Sequence, residues 1–102
     1  MMSFIAKLVI KPEARAEFEK AQTELRQLTL AREPDAYVYE FLKSRDDENT
    51  YMVVATFKDQ AAFDHHMKID FHDRLVPPIV AALAGELELK FYDGLGGAPE
   101  SN

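Results

Sequence analysis

Cysteine and tryptophan are both absent from the 102 residues. The missing thiols exclude disulfides, thiolate metal sites and a cysteine nucleophile, and they suit a reducing compartment, the cytoplasm. Glycine is scarce and late: Gly85, Gly94, Gly96 and Gly97 are all there is. None stands between a strand and a helix, so the phosphate cradles that hold nicotinamide or flavin nucleotides are missing and no cofactor is expected. Ser3, Ser44 and Ser101 lack the surroundings of a nucleophile elbow. Positive charge is outnumbered, with 12 Lys and Arg against 18 Asp and Glu, a net charge of −6. Such a surface repels phosphate backbones and anionic lipid, which disfavours nucleic acid and membranes as partners. No apolar run reaches the length of a membrane span. The opening MMSFIAKLVIKPE lacks the basic start and small-residue cleavage site of a signal peptide and reads as a strand.

What is present is an ordinary apolar fraction, 47%, in a chain long enough for one domain. Residues 3–10, SFIAKLVI, alternate, with Phe4, Ala6, Leu8 and Ile10 on one face. Pro12 suits the first position of a helix, along which Ala14, Phe18, Ala21, Leu25 and Leu28 form an apolar stripe. Pro34 ends that helix near Arg32-Glu33, for which helix capping or a surface ion pair is the default reading. DAYVYEFLKS (35–44) and TYMVVATF (50–57) read as a hairpin across the turn RDDEN. Tyr37, Tyr39 and Phe41 share one face of it, and Met52, Val54 and Thr56 are placed opposite them on that face. The turn's Asp46, Asp47 and Glu48 lack the spacing of a calcium loop.

Asp59 can cap the next helix, QAAFDHHMKI, and Pro77-Pro78 is expected to interrupt it. A separate helix over PIVAALA then stops at a left-handed Gly85. ELELKFY (86–92) alternates as a fourth strand, which makes 1–93 a single domain and 94–102 a flexible C-terminal tail. The order β-α-β-β-α-β is ferredoxin-like, an α+β class: a four-stranded antiparallel sheet with its helices on one face. The other face, assigned Ile5, Val9, Val53, Ala55 and Phe57, is left bare, and a patch of that kind usually marks an interface. A homodimer through the open sheet face is the expectation.

All three histidines fall in 63-FDHHMKIDFHD-73, interleaved with Asp64, Asp70 and Asp73. The ligand types suit zinc or iron, but the spacing does not: His65 turns away from His66 on a helix, His72 is six residues on, and no compact metal motif appears. No metal is expected. As acid–base chemistry the cluster reads better, because histidine is the side chain most easily poised near neutral pH. His66, beside Phe63, Met67 and Asp70, can face the sheet; the alternative is a half-buried packing histidine. His65 reads as solvent-facing. Two phenols and a histidine among apolar walls would make a small-ligand pocket, suited to an aromatic ligand.

Several segments together resemble the antibiotic biosynthesis monooxygenase family of dimeric α+β barrels. They are IKPEARAEFEKA, REPDAYVYEF, TFKDQAAFDHHM and LVPPIVAALAGELELKFYDG, and their order and spacing cover about residues 3–93. Departures are Asp35, where the family often has glycine, and Phe71-His72, where it commonly has the reverse pair. The absence of tryptophan also sets the chain apart from haem-degrading relatives. The resemblance implies a cofactor-independent monooxygenase acting on a small aromatic, quinol or polyketide-like substrate with O2. His66 would be the base or anion partner, Tyr37 or Tyr39 would orient the substrate, and His72 would be an auxiliary polar group. Phe63, Met67, Phe71 and Met52 would shape the walls. Two alternatives stay open at this point: a cofactor-free isomerase or tautomerase of a small carbonyl compound, and a non-catalytic dimeric binding module.

Overall fold

The structure, a computed structural model, describes residues 1–96. The expected tail 94–102 therefore lies outside the described residues from 97 onward. Four strands, β1 (Met2–Val9), β2 (Ala36–Lys43), β3 (Thr50–Phe57) and β4 (Glu88–Asp93), form one antiparallel sheet in the order β2-β3-β1-β4. Three helices, α1 (Arg15–Arg32), α2 (Gln60–Lys68) and α3 (Asp70–Ala81), complete the α+β ferredoxin-like arrangement. Among the described residues no helix is long and apolar enough to cross a membrane.

In β1 the expected alternation is present: Met2, Phe4, Ala6 and Leu8 are buried while Ser3, Ile5, Lys7 and Val9 alternate with them. Pro12 opens a 3-10 turn (Pro12–Ala14) that leads into α1. The face that α1 buries is Phe18, Gln22, Leu25 and Thr29, at spacings of 4, 3 and 4. Ala21 and Leu28 of the expected stripe are half-buried at its border, so the stripe is rotated and includes two polar residues. Glu33 closes the helix by donating its backbone N–H to Thr29 O.

Met52 is not on the Tyr39 face. The hairpin register pairs Tyr39 with Ala55 and Phe41 with Val53, and directly paired residues share a face. Tyr51, Val53, Ala55 and Phe57 therefore point toward the helices and are buried. Met52, Val54 and Thr56 point to the open face, which consequently does not contain Val53, Ala55 or Phe57. Between Ala36 and Val38 the register slips by one residue, so that Tyr37 is the extra residue of a β-bulge and leaves the alternation of Tyr39 and Phe41.

The interruption expected at Pro77-Pro78 lies instead at Ile69. There the backbone turns extended (φ −74°, ψ 149°), ending α2 and opening α3. The Asp59 cap is formed, its Oδ1 accepting from Ala62 N at 2.9 Å. Both prolines sit inside α3 and are exposed. The carbonyls they leave without an amide partner belong to Asp73 and Arg74, also exposed, where water can satisfy them. Nor is Gly85 a left-handed stop: α3 ends into Ala82 at φ −80°, and Gly85 keeps an ordinary φ.

Aromatic rings pack at two ends of the helix side of the sheet. Phe18, Phe41 and Tyr51 interlock near the β2–β3 hairpin. Phe4, Phe57, Phe63 and Phe91 interlock at the other end. Strand β4 is the outer edge, and Leu89 and Phe91 stay 41% and 54% exposed, so that side of the helix layer remains open.

Candidate active site

A cavity of about 160 Å3 lies between the helices and the sheet. Its walls are apolar, with Phe4, Leu8, Leu25, Val53 and Ile79 in the interior, and its exposed rim is Met67, Val80, Leu87 and Leu89. An apolar cavity of about 150 Å3 is enough for benzene, so this one matches a one-ring ligand. Its polar lining comes from Gln22, Tyr39, His66 and His72; no Lys, Arg, Asp or Glu side chain lines it.

The centre of this polar cluster is His66, 2% exposed, whose Nδ1 lies 2.8 Å from Oε2 of Glu33, itself 4% exposed. A carboxylate accepts, so Nδ1–H donates to it, which leaves Nε2 as the ring nitrogen not engaged by Glu33. Among the described residues His66 Nε2 has no hydrogen-bond partner, and the residue lines the cavity. The ring of His72 stands edge-on to that of His66 with centroids 4.9 Å apart, and Tyr39 and Phe57 flank His66 at 6.1 and 5.2 Å. Tyr39 Oη accepts from Gln22 Nε2 at 2.8 Å. Burial, and secondarily the charge of Glu33, push the Tyr39 phenol above the ordinary tyrosine range against the opposing bond from Gln22, so it stays protonated.

The break at Ile69 explains how His72 arrives here. On one continuous helix His66 and His72 would diverge; with the phase reset at Ile69, Phe71 and His72 both turn inward. Of the anticipated residues, Tyr39, His66, His72, Phe63 and Met67 meet at the cavity. Tyr37 does not line it. Met52 lies on the opposite sheet face with Ile5 and Lys90. Phe71 is buried away from the cavity beneath the Arg32 guanidinium, 5.8 Å from its centroid. His65 is exposed and lines a surface depression with Asp35 and Asp59.

Glu33 and Gln22 were not anticipated. Glu33 is neither a surface partner nor a mere cap, because Pro34 forces the chain out of the helix there and turns the carboxyl inward toward α2. The available signal for Gln22 was its place four residues after Phe18 and three before Leu25, a polar residue on the buried stripe. Among the described residues no three His, Cys, Asp or Glu side chains converge as a metal site.

Burial first, and the neighbouring His66 second, push His72 down from 6.5 to about 4, against the opposing charge of Asp73. Between those values the unfolded chain binds more protons at this position than the folded one. The stability tied to His72 is thus complete above pH 6.5 and is lost as the pH falls toward 4. The urea midpoint of the parent protein should drop more steeply across that window than that of His72→Asn. Parallel pH profiles for the two would contradict the assignment.

The ferredoxin-like sheet therefore carries an apolar cavity with a buried carboxylate–histidine pair at its side. The chain belongs to the antibiotic biosynthesis monooxygenase family, whose model matches residues 1–76. Among solved structures it is similar to a candidate antibiotic biosynthesis monooxygenase of Caulobacter crescentus CB15. The two share 26% identity over 92% of this chain and 89% of that one, with a TM-score of 0.87. A second similar structure, described as an antibiotic biosynthesis monooxygenase, shares 27% identity over 93% of this chain and 99% of that one, with a TM-score of 0.85. A conserved protein of Methanosarcina mazei Go1 shares the fold at 24% identity, 89% of both chains and a TM-score of 0.84. No curated protein matches the chain.

Proposed function

We propose that this protein is a cytoplasmic, cofactor-independent monooxygenase that oxidises a small aromatic, quinol- or polyketide-like substrate with O2. The observation that carries the reading is the buried Glu33–His66 pair at the edge of a one-ring apolar cavity. Glu33 fixes the ring so that Nε2 can take a proton from a phenol or an activated carbon. Tyr39 holds the resulting anion, His72 adds a neutral polar group, and the apolar walls keep bulk water from it. Phe63 and Met67 complete the walls. The anion supplies every electron to O2; one oxygen atom stays on the ring carbon and the other leaves as water with the two hydrogens the substrate gives up. The relatives named as monooxygenases support this class of chemistry.

An oxygen electrode tests it. With one-ring quinols and activated phenols, and no added flavin, nicotinamide or metal, the protein is expected to consume O2 in proportion to product. Turnover that continues in anaerobic buffer would instead make it an isomerase.

The assembly we propose is a homodimer packed through the open sheet face. Ile5, Val38, Met52 and Val54 form its half-buried apolar centre, with Leu42 and Tyr92 exposed beside them. Val54→Asp is expected to give monomers in analytical ultracentrifugation with the parent dimeric. A parent that sediments as a monomer at micromolar concentration removes the proposal.

A further inference from the structure

We infer that Gln22 dedicates the Tyr39 hydroxyl as a hydrogen-bond donor to the substrate oxygen, making the cavity selective for neutral phenols and enolisable carbonyls that become oxyanions there. The inference deepens the reading above and rests on the cavity being the substrate site.

Gln22 Nε2 donates to Tyr39 Oη at 2.8 Å, and both side chains are 3% exposed. The hydroxyl thus spends an acceptor site on the protein and keeps its proton. Among the described residues it has no other hydrogen-bond partner. An uncommitted O–H in a buried setting is costly, and Tyr39 lines the cavity, where a ligand oxygen would accept from it. One turn further along α1, Arg26 Nε donates to the Tyr39 carbonyl at 2.8 Å. Gln22 and Arg26 thereby clamp the residue at both ends, fixing where the donor points.

Selectivity follows from pairing. The cavity sets an acceptor, His66 Nε2, beside a donor, Tyr39 Oη–H, with no formal charge in its lining. A neutral hydroxyl or enol can give its proton to the first and, as an anion, accept from the second. A ligand carrying its own carboxylate or phosphate finds no cation there. Gln22 touches neither the proton nor the substrate oxygen in this scheme and is a positioning residue. Were its amide turned the other way, Tyr39 would donate to Oε1 and no donor would remain.

The test uses 4-nitrophenol, whose anion absorbs visible light, with binding and bound-state ionisation read at neutral pH. The parent should bind it largely as the anion. In Gln22→Glu the new carboxylate accepts the Tyr39 proton, so the bound anion fraction should fall and Kd should weaken about tenfold. Tyr39→Phe should weaken binding to a similar degree, and Gln22→Glu added to it should have no further effect. A full effect of Gln22→Glu in the Tyr39→Phe background would mean that its charge acts directly, and would overturn the inference. So would an unchanged spectrum in Gln22→Glu, or no binding by the parent. If Gln22→Glu does not fold, Gln22→Met carries the test, with an expected loss of about threefold. A parent that ionises the probe but never consumes O2 would defeat the monooxygenase reading alone.

Discussion

His66→Ala is expected to lose about 3–5 kcal/mol of folding stability. The loss has an electrostatic part that an ordinary core truncation lacks, because Glu33 is 4% exposed and its Oε2 has His66 Nδ1 as partner. Removing the ring leaves a carboxylate buried without compensation, alongside the void where the imidazole packed against Phe57 and Tyr39. Against a total stability of about 5–15 kcal/mol, that is a large share. The signature is non-additivity: Glu33→Leu placed on His66→Ala should recover part of the loss, since it removes the orphaned charge. Urea unfolding of the four proteins in the cycle measures it. A loss below about 1 kcal/mol, the range of exposed pairs, would mean that water reaches the carboxylate.

For the same reason alanine is the wrong probe of chemistry at this position. His66→Gln keeps an amide N–H for Glu33 and much of the ring's volume but has no group that accepts a proton at neutral pH. Its turnover should fall about 10²- to 10⁴-fold, the range for a positioned acid–base group. The loss should appear in kcat, because the apolar walls that bind the ring are untouched. O2 uptake by His66→Gln within about threefold of the parent, in a variant of parent-like stability, would assign the proton transfer elsewhere; the range for a true base is far larger.

The strands and their faces were legible where alternation was unbroken, as in SFIAKLVI, and Asp59 announced the helix it caps. The open face was misassigned because two-residue periodicity tells which residues share a face within a strand but not across a hairpin. That parity depends on turn length, and the bulge at Tyr37 breaks the alternation within β2 itself; periodicity reveals neither. Paired prolines suggested a helix break, yet exposed carbonyls at Asp73 and Arg74 make them tolerable inside α3. Ile69, where the break occurs, has no breaker chemistry of its own. His66 stood out as a titratable residue on an inward helix edge. Its partner did not, because Glu33 lies 33 positions away and its burial is decided by how α1 and α2 pack against one sheet.

The pairing of Met2 with Asp93 and of Lys7 with Glu88 closes loops of roughly the whole chain. Contacts so distant in sequence are slow to form, since the entropy of loop closure precedes any gain from the contact. β2 and β3 can zip across their short turn early, together with α1. Leu87 and Leu89, which form one side of the cavity's rim, are delivered only when β4 finds the free edge of β1. On refolding, the carboxylate–histidine pair is therefore expected to assemble before the chamber that serves it.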